Sequence, residues 1–202
     1  GELNYVSQFG GHLVVDPTSI NTAAISTFRE RYSSKLLKLS NGKNIVTDKM
    51  PQNFLYIPLI IAALPESKII HVQRDAAATC WSNFKHYFDS VGLQYCYDLG
   101  DIVTYYKLYT DLMSFWQSQY NSRIYNLNYE KLTADQENET RKLINHLELD
   151  WDEKCLSPHK NRRSVRTASQ QQVRQKVYQK SSKEWLKYKP YLNGAFDELY
   201  TL

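Results

Sequence analysis

The feature that most constrains the fold is the segment from Ser67 to Ser82, which reads SKIIHVQRDAAATCWS. Lys68 to Gln73 contains the β-branched apolar residues of a central strand, and the alanine-rich residues after Asp75 favour a helix. In open α/β sheets, ligands bind where the carboxyl ends of strands face the amino ends of helices. The segment therefore predicts an α/β fold with a ligand site at the turn between strand and helix.

Two residues near this turn suit an anionic ligand. Arg74 supplies a planar cation that matches a phosphate, and Ser82 supplies a hydroxyl about two turns into the predicted helix. The helix dipole and the unpaired N–H groups at the start of the helix also favour negative charge. The alternative is an ion pair between Arg74 and a carboxylate at the rim, and these residues alone leave both interpretations open.

Composition narrows the class of protein. A chain of 202 residues can bury a substantial core, and we expect a single domain over residues 1–202. The net charge of +4, without a block of Lys and Arg, argues against nucleic-acid binding and is compatible with a small anionic ligand. The three cysteines, Cys80, Cys96 and Cys155, indicate neither a disulfide framework nor a zinc site. Since no signal peptide or membrane span is visible, we expect a soluble, cytoplasmic protein without a membrane partner.

The first part of the chain fits a parallel βαβ arrangement. After an opening without a strand, the chain is expected to pass through Gly10-Gly11 into a helix from about Asn21 to Leu39. A short strand at Ile45 to Asp48 and a buried helix at Gln52 to Leu64 then precede the segment described above. Lys49 would therefore end one strand as Arg74 ends the next, so that both cations face one crevice. A solvated strand end is the alternative for Lys49.

Three further helices and one further strand are expected in the second half of the chain. They are a helix from Tyr97 to Gln119, a strand from Arg123 to Asn128, a helix from Thr133 to Leu147 and a closing helix from Ser181 to Leu192. The residues from Thr133 to Gln136 are typical of a capping box at a helix start. Tyr129 follows the strand, where its ring suits a flat heterocycle, and a tyrosine that closes the core is an equal alternative.

The stretch between Cys155 and Lys180 is rich in basic and hydroxyl residues and lacks apolar periodicity, which predicts a loop. Such residues suit a phosphate-rich ligand, and a solvated linker is the alternative.

Four blocks of the sequence closely resemble the sulfotransferases, in the same order and with matching spacing. They are VTDKMPQNF at Val46–Phe54, KIIHVQRD at Lys68–Asp75 followed by Ser82, YEKL at Tyr129–Leu132, and VRTASQQQVR at Val165–Arg174 followed by Trp185. The branch that these blocks resemble most comprises the tyrosylprotein sulfotransferases and the bacterial sulfotransferases joined to tetratricopeptide repeats. The resemblance extends from Gly1 to about Leu192.

The resemblance implies a P-loop-like fold of three layers, in which helices flank a mostly parallel sheet. It also implies transfer of a sulfuryl group from 3′-phosphoadenosine-5′-phosphosulfate (PAPS) to an acceptor hydroxyl or amine, with adenosine 3′,5′-bisphosphate (PAP) as the other product. In this family, the residues at the positions of Arg74 and Ser82 hold the 3′-phosphate. The tyrosine at the position of Tyr129 lies beside the adenine.

The remaining site residues follow from the same resemblance. The lysine at the position of Lys49 lies near the transferred group, where a cation stabilises charge on the bridging oxygen. Glu2 is the candidate for the base that accepts the acceptor's proton. No metal is implied. The basic loop folds over the nucleotide in this family, so its candidate contacts are Thr167, Ser169, Gln172 and Arg174.

The chain also departs from the family pattern. In the family, a first strand and a glycine-rich turn that binds the 5′-phosphosulfate precede the position of Gly1-Glu2. We therefore expect a truncated domain without that strand and turn, with doubtful activity by itself and with a homodimer that covers the sheet edge. The alternatives are a non-catalytic nucleotide-binding or interaction module and, with less support, a small-molecule kinase-like phosphotransferase. The acceptor stays open among peptide, carbohydrate and small alcohol.

Overall fold

Seven α-helices and two β-strands form the regular structure of the residues that the computed structural model describes, which are 2–88, 91–161 and 172–200. The helices are α1 (Tyr5–Val15), α2 (Thr22–Ser40), α3 (Ile57–Ala63), α4 (Ala76–Phe84), α5 (Leu99–Tyr120), α6 (Tyr129–Ala134) and α7 (Gln136–His146), and the strands are β1 (Ile69–Gln73) and β2 (Ile124–Asn128). Short 3₁₀ turns lie between these elements, as at Pro51–Tyr56, and after α7, as at Lys180–Lys187.

These residues divide into two compact units. Unit 1 contains the residues up to Lys68 together with Trp116–Arg123, and unit 2 contains Ile69–Phe115 together with the residues from Ile124 onward. The single domain expected over residues 1–202 stays a prediction.

Unit 1 has a helical core. Buried apolar side chains of α1, α2, α3 and the residue after α3 form it: Val6, Leu13, Phe28, Tyr32, Leu59, Ala63 and Leu64. The predicted helix from Asn21 to Leu39 is confirmed as α2. Its start is capped by Asn21, whose side-chain oxygen accepts a hydrogen bond from the Ala24 N–H at 2.9 Å. Its end is set by Asn41, which adopts the left-handed conformation with φ of 50°.

Helix α1 includes Gly10-Gly11, in a stretch where the sequence predicts neither a helix nor a strand. Two adjacent glycines lower the intrinsic preference for helix, which is why the helix is missed. A close approach explains Gly10: a Cβ atom placed there would lie 2.4 Å from Leu59 Cδ2 and 3.0 Å from Phe28 Cε2. The missing side chain thus lets the backbone of α1 pack directly on the core of unit 1.

The strand predicted at Ile45 to Asp48 is wrong, because the structure gives this segment irregular backbone. The side chain of Asp48 holds this segment in place. Its carboxylate accepts hydrogen bonds from the Leu3 N–H at 3.2 Å and from the Tyr32 hydroxyl at 3.0 Å. The helix predicted from Gln52 to Leu64 is divided into the 3₁₀ turn Pro51–Tyr56 and α3.

Unit 2 contains the sheet. Strands β1 and β2 pair in parallel, with Ile69 opposite Ile124 and Gln73 opposite Asn128. A parallel sheet flanked by helices confirms the predicted α/β fold. Because the two strands end at the same edge, the residues that follow them, Arg74 and Tyr129, are brought to that edge together.

Two helix predictions in unit 2 need correction. The helix predicted from Thr133 starts at Gln136, because Asp135 acts as its N-cap and accepts from the Asn138 N–H at 3.4 Å. Thr133 itself belongs to α6, which follows β2 directly. The closing helix is instead a pair of 3₁₀ turns, Lys180–Lys187 and Lys189–Tyr191.

The core of unit 2 joins the chain's last segment to α4 and α5. Its buried residues are Ala77, Ala78, Cys80, Cys96, Ile102, Val103, Trp185, Leu192, Phe196 and Leu199. The small residues of α4 let Trp185 and Phe196, whose rings meet edge to face at 6.0 Å, pack close to the helix backbone.

Within the described ranges, no helix is long and apolar enough to cross a membrane, and no three His, Cys, Asp or Glu side chains are grouped to hold a metal ion. The expected homodimer and cytoplasmic location stay predictions.

Candidate functional site

The turn between β1 and α4 is held by Asp75. One carboxylate oxygen accepts from the Ala78 N–H at 2.8 Å and so caps α4, and the other accepts from the Tyr200 hydroxyl at 2.9 Å. The Thr79 hydroxyl donates to the Asp75 carbonyl at 2.9 Å. These hydrogen bonds hold the backbone of the turn, and they therefore hold the Cα atom of Arg74 in position.

Neutral groups hold the guanidinium of Arg74. Its Nη2 donates to the Ser181 carbonyl at 2.8 Å, and its Nε donates to the Ser182 hydroxyl at 3.4 Å. The guanidinium carbon lies 5.3 Å from the centre of the Tyr129 ring, within the range of a cation–π contact. No carboxylate of residues 2–88, 91–161 or 172–200 forms an ion pair with Arg74. No described carboxylate therefore contacts the guanidinium directly.

A pocket of about 230 Å³ in unit 2 brings together two of the predicted site residues, Arg74 and Ser82. Its lining consists of Val72, Arg74, Thr79, Ser82, Asn83, Tyr106 and Tyr109. Residues 79, 82 and 83 share one face of α4 because they are three and four positions apart. Since a water molecule occupies about 30 Å³ in the liquid, the pocket has room for a phosphate-sized anion.

The lining residues of the pocket are suited to an anion. Among them only Arg74 is charged, Val72 is apolar, and the other five supply hydroxyl or amide groups. Burial raises the pKa of Tyr109 to about 12 and also raises the pKa of Tyr106, so both phenols are neutral at pH 7. The Tyr109 hydroxyl is hydrogen-bonded to His71 Nε2, and His71 Nδ1 is bonded to Asn126 Oδ1 at 2.9 Å. This network links the pocket wall to both strands.

Tyr129 lies beside Arg74 but is not part of the pocket lining. It is the first residue of α6, and its hydroxyl is 2.9 Å from Ser181 Oγ. The same short segment, Ser181-Ser182, therefore contacts both Arg74 and Tyr129.

Unit 1 places Lys49 and Glu2 together. Lys49 Nζ forms an ion pair with Glu2 Oε1, and the two side chains are 65% and 36% exposed. Asp48 accepts from the N–H of Leu3 and so attaches the segment that carries Glu2 to the segment that carries Lys49. The arrangement joins a carboxylate and an ammonium group at the surface of this unit.

The predicted nucleotide loop is described only in part. Thr167 and Ser169 lie outside the described residues. Gln172 and Arg174 lie in a short exposed 3₁₀ turn, where Arg174 is hydrogen-bonded to the Asn161 carbonyl, and neither residue lines the pocket.

Comparison with known proteins assigns the family. The model of the sulfotransferase family matches residues 14–153. The chain belongs to the sulfotransferase family. An uncharacterised protein of Aquifex aeolicus (strain VF5) is 31% identical over 170 residues, which make up 83% of this chain and 22% of the relative. The chain thus spans about 22% of the length of that relative.

Membership of the sulfotransferase family confirms the family resemblance. The matched range includes Lys49, Arg74, Ser82 and Tyr129, whereas Glu2 and the loop from residue 165 to 174 lie outside it.

Sequence reasoning missed several residues of this candidate site. Thr79 and Asn83 could have been found from helical periodicity, because they share a helix face with Ser82. Ser181 and Ser182 carry no such signal, since they are 107 and 108 positions away from Arg74 in the chain. Glu130 is the second residue of the YEKL block, but its partners depend on the tertiary structure.

Proposed function

We propose that this chain carries the nucleotide site of a PAPS-dependent sulfotransferase that transfers a sulfuryl group to an acceptor hydroxyl or amine. The observation that carries the proposal is the pocket lined by both Arg74, which precedes α4, and Ser82 of α4. The match to the sulfotransferase family supports it.

The 3′-phosphate of the nucleotide is proposed to bind in this pocket. The two contacts of Arg74 with Ser181 and Ser182 leave further guanidinium N–H groups for phosphate oxygens. The Ser82 hydroxyl can donate to the same phosphate. A dianionic phosphate beside an arginine that lacks a described carboxylate partner would form charge-assisted hydrogen bonds, which are the strong ones.

The adenine is proposed to lie beside Tyr129. The tyrosine is next to Arg74, so one ligand can contact both residues. Thr167, Ser169, Gln172 and Arg174 are proposed as further nucleotide contacts from the basic loop.

The reaction is proposed to use the pair formed by Lys49 and Glu2. The acceptor oxygen or nitrogen attacks sulfur while the bond from sulfur to the bridging phosphate oxygen breaks, so PAP leaves with the bonding electrons. The Glu2 carboxylate takes the proton of the acceptor. The Lys49 ammonium stabilises the charge that develops on the bridging oxygen. The acceptor class is a peptide, a carbohydrate or a small alcohol.

Calorimetric titration tests the nucleotide site. The full chain is titrated with PAP and with adenosine 5′-monophosphate (AMP), which lacks the 3′-phosphate. Arg74→Ala is expected to weaken PAP binding by about 1.5–3 kcal/mol, the scale of hydrogen bonds to a charged group, and to leave AMP binding nearly unchanged. The control is Arg141→Ala, which removes an exposed arginine of α7 that pairs with Glu137.

Two results would contradict the proposal. One is a folded chain that does not bind PAP. The other is an Arg74→Ala variant that binds PAP as tightly as the unchanged chain does. Binding of PAP without sulfuryl transfer to any acceptor would instead favour the non-catalytic nucleotide-binding module.

A further inference from the structure

The carboxylate of Glu130 reaches the turn that carries Arg74. Glu130 directly follows Tyr129 in α6, and its Oε1 accepts from the backbone N–H of Asp75 at 3.2 Å. The same oxygen accepts from the Ser182 hydroxyl at 2.5 Å. One carboxylate oxygen therefore joins three segments that are distant in the sequence.

The direction of each hydrogen bond follows from the donors available. An ionised carboxylate only accepts, so the single hydroxyl proton of Ser182 goes to Glu130. The Ser182 oxygen then offers its lone pairs to the Nε–H of Arg74. With the hydroxyl turned the other way, its proton would face the guanidinium and repel it. Glu130 thus determines the orientation in which Ser182 can hold Arg74.

The burial of Ser182 stabilises this orientation of its hydroxyl. Ser182 is only 8% exposed, so water cannot readily replace Glu130 as the partner of its hydroxyl. The neighbouring Ser181 carbonyl accepts the shorter bond from Arg74, at 2.8 Å. Anchoring Ser182 therefore also holds the backbone of Ser181 in place for Arg74.

The bond from Asp75 to Glu130 completes the cap of α4. In a capping box, a glutamate at the third helical position accepts from the backbone N–H of the N-cap residue. In α4 that position is Ala78, which has no acceptor, and Glu130 accepts the Asp75 N–H from another helix. The same residue therefore holds both the backbone beside Arg74 and the partner of its side chain.

We propose that Glu130, acting through Ser182, is a positioning residue for the anion site at Arg74. This inference rests on the proposed function, because it concerns the site assigned there to the 3′-phosphate. Glu130 orients the guanidinium before the nucleotide binds, so binding does not have to order it.

The charge of Glu130 and its positioning effect act on PAP binding in opposite directions. A negative charge near an anion site opposes phosphate binding by Coulomb repulsion, so its removal by itself would strengthen the binding of PAP. Loss of the positioning effect weakens the binding of PAP. Glu130→Ala and Glu130→Gln separate the two effects, because glutamine keeps an oxygen that can accept both hydrogen bonds and replaces the other oxygen by an uncharged NH2 group.

The experiment titrates PAP and AMP into the full chain and its variants by calorimetry. Glu130→Ala and Ser182→Ala are each expected to raise the Kd for PAP about tenfold, while the Kd for AMP stays within about twofold. Glu130→Gln is expected to keep the Kd for PAP within about twofold of the unchanged chain, or to lower it. Glu137→Ala, which removes an exposed glutamate of α7, is the control and is expected to change neither Kd.

A double variant shows whether Glu130 acts through Arg74. In the Arg74→Ala background, adding Glu130→Ala is expected to leave the Kd for PAP unchanged or to lower it, because the group to be oriented is gone and only the repulsion between Glu130 and the phosphate is relieved. If Glu130→Ala does not fold, Ser182→Ala and Glu130→Gln carry the same test.

Three results would overturn the inference while the proposed function stands. The first is a PAP affinity that falls in Arg74→Ala but not in Ser182→Ala or Glu130→Ala. The second is a loss of affinity in Ser182→Ala or Glu130→Ala that is equal for PAP and AMP. The third is a Glu130→Gln variant that binds PAP as weakly as Glu130→Ala does. If the unchanged chain does not bind PAP, the proposed function fails, and this inference fails with it.

Discussion

The two units hold their candidate cations in different ways. In unit 2, Arg74 is bonded to a carbonyl and a hydroxyl and lies against an aromatic ring. In unit 1, Lys49 is paired directly with the carboxylate of Glu2. Neutral partners orient an arginine and leave its charge available to an incoming anion. A carboxylate partner instead neutralises a lysine and can itself accept a proton. The difference is the one expected from the binding role proposed for Arg74 and the catalytic role proposed for the pair in unit 1.

Burial strengthens this contrast. Ser182, which holds Arg74, is buried, while Lys49 and Glu2 are 65% and 36% exposed. An exposed ion pair contributes only about 0–1 kcal/mol to stability, so it can open for a substrate at little cost. A buried hydrogen-bonded network is more costly to disturb. We therefore expect Arg74 to keep its position and Lys49 to exchange partners during a reaction cycle.

The largest expected effect separates the two cations kinetically. Lys49→Ala is expected to lower the kcat of sulfuryl transfer by about 10²–10³-fold, because it removes a cation from the developing charge. The Kd for PAP is expected to stay nearly unchanged, in contrast to the effect of Arg74→Ala. Steady-state kinetics with PAPS and a phenol or peptide acceptor, combined with calorimetry, measure both quantities.

Lys43→Ala, which removes another exposed lysine of unit 1, is the control for that experiment. The contrast between the units would break down if Lys49→Ala weakened PAP binding as strongly as Arg74→Ala does and left kcat unchanged.

A smaller effect is expected from the way unit 1 packs its first helix. Gly10→Ala adds a methyl group at 2.4 Å from Leu59 Cδ2, where overpacking costs about 1–3 kcal/mol and better helix preference returns about 1 kcal/mol. We expect a net loss of up to about 2 kcal/mol in the free energy of unfolding, measured by urea denaturation.

Gly11→Ala is the matched control, because the nearest atom to its added methyl group is the Tyr56 hydroxyl oxygen at 3.8 Å, an ordinary contact. This variant is expected to gain up to about 1 kcal/mol from helix preference. Equal stabilisation by both variants would show that α1 does not depend on the close approach at Gly10.

The smallest effect concerns the pH dependence of unit 2. Burial lowers the pKa of His71 below its usual value of 6.5, although its hydrogen bond to Asn126 acts in the opposite direction. The unfolded chain therefore binds more protons than the folded chain as the pH falls through about 6.5, so the free energy of unfolding falls with it. Above that pH the contribution of His71 is constant, and below it the slope stays under about 1.4 kcal/mol per pH unit.

Urea denaturation at several pH values from about 4.5 to about 8, which span the usual histidine pKa, measures this slope. His71→Asn is expected to flatten the curve, and His12→Asn, which changes an exposed histidine of unit 1, is expected to leave the slope in place. A curve that keeps its slope in His71→Asn would assign the acid sensitivity to other groups.

Local sequence was enough to predict the centre of the candidate site. Arg74, Asp75 and Ser82 lie within one strand, one turn and one helix, so helical periodicity and the direction of the strand decide their mutual positions. The same reasoning failed at Ile45 to Asp48, where β-branched residues suggest a strand that the structure does not form. It also failed at α1, because a glycine that permits close packing looks in the sequence like one that breaks a helix.

The sequence by itself determined the α/β class, the helix and strand around Arg74, and the resemblance to the sulfotransferases, because each depends on residues close together in the chain. The tertiary structure alone decided which groups hold the guanidinium of Arg74. Its partners, Ser181 and Ser182, are 107 and 108 positions away, and the glutamate that orients Ser182 is 52 positions from that serine. Hydrogen bonds over such separations depend on strand register and core packing, which bring the segments together only when the whole unit has folded.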